Sequence, residues 1–207
     1  MRSAALAVLL ALSALPATAS DREPWAGGAH ARARFPLSVW IEPFDDVFDA
    51  VARRVLEEWN AVTRDALGVT AFVATGARHI ADVTIAVGPR RIADRRMGQA
   101  GSHPNDAGWI KLPIRITVFG PPSDGDALQI DREKLLYLVF AHELGHALGL
   151  PHVRDPRSIM CCVRNGVDLS DRATQGEYLA ARRNPDVRSV LDQLMDHYSR
   201  FWLRETP

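Results

Sequence analysis

This chain of 207 residues has only two cysteines, and they are adjacent, Cys161 and Cys162. That excludes the disulfide framework that staples small secreted domains. Neighbouring cysteines close no long loop, and a bridge between them is strained and easily reduced, so two free, partly buried thiols are the simpler expectation. An excess of either charge is missing as well: 25 Lys and Arg balance 25 Asp and Glu. Nucleic-acid and anionic-membrane partners need a basic footprint, and no long single-sign run supplies one. Beyond the first residues no apolar stretch approaches the ~20 residues that cross a bilayer. No nucleic acid and, in the mature form, no membrane are therefore expected as partners, and a monomer is expected.

The N-terminus, MRSAALAVLLALSALPATAS, has Arg2 as a positive start, an apolar run from Ala4 to Leu15, and Ala17-Thr18-Ala19 as a small-residue cleavage site. These are the parts of a secretory signal peptide, with a run too short for an anchor. Residues 1–19 are read as that signal, and the destination as secreted, extracellular or periplasmic. Residues 20–36 are polar and aperiodic, which suggests a flexible N-terminal arm or a short pro-segment in which Asp21, Glu23 or His30 could reach a metal. Residues 37–207 have the size of one domain.

Within that domain, Phe35, Leu37, Val39 and Ile41 alternate as a strand ending at Pro43. Val47, Val51, Val55, Trp59, Val62 and Ala66 recur at helical steps between Asp45 or Asp46 and Gly68. Val69 to Ala74 and Ala81 to Val87 read as strands, and Trp109 to Phe119 as another, bulged or edge-exposed at Pro113. Leu135, Leu136, Val139, Phe140, Leu144 and Leu148 form the buried side of a helix starting near Asp131. A helix over 168–183 follows, and then a final one over 186–204 with an apolar stripe from Val187 to Phe201.

The chemistry sits on the Asp131 helix, in His142-Glu143-Leu144-Gly145-His146-Ala147-Leu148-Gly149-Leu150-Pro151-His152. Residues four apart share a helix face, so His142 and His146 can aim ring nitrogens at one ion. Glu143, beside the first histidine, can reach the open side of such an ion. Gly149 suits the left-handed turn that stops the helix and returns His152. Three neutral imidazoles leave a fourth position open, which is the catalytic arrangement of zinc rather than the closed structural one.

The spacing H-E-x-x-H-x-x-G-x-x-H, followed by Ser158-Ile159-Met160, resembles the signature of the metzincin zinc endopeptidases. The short link from His152 to Met160 makes the chain most similar to matrixins. The resemblance implies an α+β, zincin-like fold: a twisted mixed sheet over the active-site helix, with a Met-turn and C-terminal helices, of which 186–204 is an addition. It implies one catalytic zinc on His142, His146 and His152, with Glu143 as general base and acid in peptide-bond hydrolysis and Met160 as a floor under the imidazoles. It places Cys161 and Cys162 at a possible pocket wall, and an extended peptide or protein substrate on an edge strand near Gly98 to Ser102.

Departures from the family pattern are informative. No cysteine precedes the motif, so a cysteine switch cannot operate, and no tyrosine after Met160 serves as an extra ligand. The loop that holds structural zinc and calcium in vertebrate matrixins is reduced to His79, Asp82, His103 and Asp106, so structural zinc or calcium is not supported. Two other functions use the same residues: a secreted zinc-binding interaction module without proteolysis, and a zinc amidase acting on a non-protein amide.

Overall fold

The computed structural model describes residues 28–89, 97–119, 131–161 and 171–203. The expected signal peptide, the first part of the expected arm and Cys162 lie outside them. Five strands form one sheet in the order β2-β1-β3-β5-β4. β1 (Leu37–Ile41), β2 (Phe72–Ala74), β3 (Val83–Gly88) and β5 (Ile114–Phe119) run parallel, and β4 (Gly98–Ala100) is antiparallel to β5 at the edge. Alternation decides the faces. Leu37, Val39, Val83, Ile85, Ile114, Ile116 and Val118 point into the core, whereas Thr84, Arg115 and Thr117 lie on the other face.

Helices cover the inner face. α1 (Asp46–Leu67) starts where the Asp45 carboxylate accepts from the Phe48 amide and stops at Gly68, whose φ of 69° is left-handed. Its Val51, Val55, Trp59 and Val62 are buried. α2 (Arg132–Ala147) is capped by Asp131, which accepts from Lys134. Unlike α1 it is buried almost all round from Leu135 onward, lying between the sheet, α1 and the C-terminal elements. α3 (Arg172–Arg183) is capped by Asp171, and α4 (Leu191–Trp202) follows a 3₁₀ turn, Val187–Val190, and packs on α1.

Two expectations need correction. The strand expected from Trp109 begins only at Ile114; Trp109 and Ile110 instead make isolated bridges to Ala29 and Pro104. Alternation before Pro113 is met by this irregular excursion, which buries Ile110 without adding to the sheet. From Gly28 onward, the stretch expected as a flexible arm or a short pro-segment is packed against the rest of the domain. Ala29 and His30 are buried, the Ala29 amide donates to Gly108 and the Ile110 amide to Ala29, and Phe35 packs edge-on against Tyr198 and Trp202. This segment has no period because it is held by fit against other elements rather than by a face of its own.

A histidine trio at the end of the buried helix

Residues 142 and 146 lie on the last turns of α2, and the chain leaves that helix through Leu148 and Gly149. The amide of Gly149 donates to His146 O and that of Leu150 to Gly145 O, with Gly149 at φ 86°. A side chain at Gly149 would also overlap the carbonyl of Gly28, so the turn needs glycine twice over. The reversal brings His152 back beside the helix.

The three Nε2 atoms converge. Those of His142 and His152 are 2.9 Å apart, and that of His146 is 3.1 Å from each. The opposite ring nitrogens set the tautomer: Nδ1–H of His142 donates to Ile159 O and Nδ1–H of His146 to Leu150 O, each at 2.9 Å. Nε2 of both rings is thereby left with its lone pair, and the two lone pairs face each other. Burial first, then the neighbouring imidazoles, pushes His142 down to about 3; burial and then His152 push His146 down to about 4. Neutral rings are the metal-binding form.

Such an arrangement is repulsive without a cation and suits one with it. Nitrogens bound to a single tetrahedral ion at about 2.0–2.1 Å lie about 3.3 Å apart, close to the separations here. The donor set fits zinc. Glu143 is buried beside the trio, against β4: a Cβ added to Gly98 would lie 2.7 Å from its Oε1. The bare backbone of Gly98 therefore gives this carboxylate its place.

The matrixin family model matches residues 57–174, more than half of the chain. This chain is a matrixin. A macrophage metalloelastase of Oryctolagus cuniculus is 40% identical over a 62-position alignment that covers 25% of this matrixin and 13% of that protein. Matrixins are zinc metalloproteases, and the three-histidine group fits their metal.

Support for the site comes from residues that carry no motif. The carbonyls at the end of an α-helix lack partners within it. Here Ser102 Oγ donates to His146 O, His30 Nε2 to Ala147 O at 2.8 Å, and Tyr198 OH to Leu148 O at 2.9 Å. His30 is thus an anchor for the helix end rather than a metal ligand. The C-terminal elements hold the other two segments: Gln193 of α4 donates to Pro151 O, beside His152, and Ser189 Oγ accepts from Ile159 N.

Met160 is fully buried, and its sulfur lies where a Cβ on Gly145 would be, so the Met-turn packs against the helix between His142 and His146. Arg182 closes that turn from α3. Its guanidinium, buried and stacked over Tyr178 at 4.5 Å, donates to Ser158 O at 3.3 Å and Cys161 O at 3.1 Å. Cys161 is buried and disulfide-bonded, and Cys162 is the chain's only other cysteine. The expectation of two free thiols is therefore corrected.

Proposed function

We propose that this matrixin is an exported endopeptidase that hydrolyses internal peptide bonds of extended substrates, with Glu143 as general base and then general acid. The observation that carries the reading is the convergence of the Nε2 atoms of His142, His146 and His152 beside a buried carboxylate. A zinc ion held by those three atoms supplies Lewis acidity, polarising a carbonyl and easing deprotonation of water. Glu143 accepts the proton of the attacking water on its carboxylate and passes it to the leaving amine.

The edge strand offers a place for the substrate. Residues 97, 99 and 101 bond to β5, so by alternation the backbone groups of Gly98 and Ala100 point away from the sheet. A peptide added there gains main-chain pairing that does not depend on its sequence, and Gly98 sets its scissile region next to Glu143. Export rests on the signal-like residues 1–19; among the described residues no helix is long and apolar enough to cross a membrane.

The test is to incubate the purified protein with a mixed peptide library and read the products by mass spectrometry. Cleavage that a chelator abolishes and zinc restores is expected. A library left intact by protein carrying its zinc contradicts the reading.

A further inference from the structure

The outer face of the sheet, opposite the helices, holds a concavity of about 860 Å³ that no carboxylate lines among the described residues. Its polar lining is cationic or neutral: Arg78, His79 and Arg115, with Thr84, Thr117 and Gln99. Arg78 is stacked on Trp40 at 5.0 Å. The nearby Asp82 accepts from the Ser38 amide and hydroxyl and lies 4.0 Å from Arg34, so its charge is already engaged. Arg115 is exposed, and none of the ion pairs among the described residues involves it.

Register connects this concavity to the free edge. Arg115 pairs with Thr84 on one side, and on the other its carbonyl accepts from the amide of Gly101. Gly101 has no side chain, and a Cβ there would meet only the Arg115 carbonyl, at 3.4 Å. Among the described residues, no side chain therefore stands over Gly101 between Arg115 and a strand added to β4. The gap is two strand spacings, about 9.6 Å. An arginine and a glutamate extended toward each other over Gly101 span it with slack to choose an unstrained geometry, and an aspartate spans it with less.

We propose that Arg115, reaching across Gly101, selects substrates that carry a glutamate opposite Gly101. Gly98 adjoins Glu143, and Gly101 lies three positions on, so that glutamate falls about three residues from the scissile bond, roughly 10 Å along the strand. The proposal rests on β4 being the peptide-binding edge. It adds a charge preference to a mode of binding that otherwise ignores sequence.

The test compares peptides identical except for Glu, Asp or Gln at each position in turn, using the wild-type protein and Arg115→Gln. At one position about three residues from the cut, the wild type is expected to favour Glu over Gln in kcat/KM by about two- to five-fold, the range of an exposed ion pair, and less at high salt. Asp should gain less than Glu there. In Arg115→Gln the Glu-to-Gln ratio should fall to near one, a readout that cancels any change in the folded fraction. No position with a Glu preference, or a ratio unchanged in the variant, overturns the proposal. If no peptide is cleaved, the endopeptidase reading fails. The proposal is then decided by fluorescence anisotropy of the same peptides on Glu143→Ala: tighter binding of the Glu peptide, lost with Arg115→Gln, supports it, and equal binding overturns it.

Discussion

Arg182 shows how one side chain can hold a metal site it never touches. Its fork bridges Ser158 O and Cys161 O, the two ends of the turn that presents Met160 to the helix and Ile159 O to His142. Truncation removes the Arg182 donor from both carbonyls, although Ser158 O keeps the amide of Cys161, and a lost donor to a buried carbonyl costs about 1–3 kcal/mol. We expect Arg182→Met to lower stability by about 1–3 kcal/mol in urea unfolding and to weaken zinc retention against a chromophoric chelator. Arg182→Lys should fall between, because an ammonium keeps the charge but not the fork. Unchanged zinc retention in Arg182→Met would show that the Met-turn stands without this clamp.

At the scale of elements, α2 carries the chemistry, while the segment from Gly28 and α4 hold its end in place. Tyr198 is fully buried and donates to Leu148 O, so Tyr198→Phe leaves that carbonyl unsatisfied without changing side-chain shape much. The expected outcome is a lower urea midpoint at constant m-value, equivalent to about 1–2 kcal/mol, and faster zinc loss to a chelator. A midpoint equal to wild type would mean that the last turn of α2 needs no outside donor.

The same elements show what can be read from the chain before folding. His142, Glu143, His146, Gly149 and His152 are legible because their spacing is local and each spacing has a geometric consequence. The caps at Asp45 and Asp131 and the stripe of α1 are legible for the same reason. His30, Ser102, Tyr198 and Arg182 were not, since each meets a backbone carbonyl far away in sequence and any polar residue can do so. The burial of the segment around Ala29 is not legible because it comes from fit, with Gly28 against Gly149 and Ala29 bridged to Trp109, rather than from a period of its own.

For the whole molecule, buried neutral histidines tie stability to pH. Burial lowers His30, His142, His146 and His197, the second and third to about 3 and about 4. In the unfolded chain these groups protonate near pH 6.5, so the unfolded state binds more protons as pH falls below that value. Their contribution is thus fully present above pH 6.5 and is lost on acidification toward the folded values, by up to about 1.4 kcal/mol per pH unit for each histidine. Calorimetry of the zinc-free protein should give a Tm that falls between pH 7 and pH 5. A Tm that stays level over that interval would contradict the assignment of these rings as buried and neutral.

Zinc held by the three histidines, with Glu143 moving the proton, is the chemistry proposed for this site. It is tested most directly by measuring zinc content and peptide cleavage together on wild type and Glu143→Ala. One zinc per chain is expected in both, with cleavage by the variant reduced about 10²- to 10⁴-fold. Cleavage by zinc-loaded Glu143→Ala at the wild-type rate, or a wild type that cleaves without zinc, would contradict it.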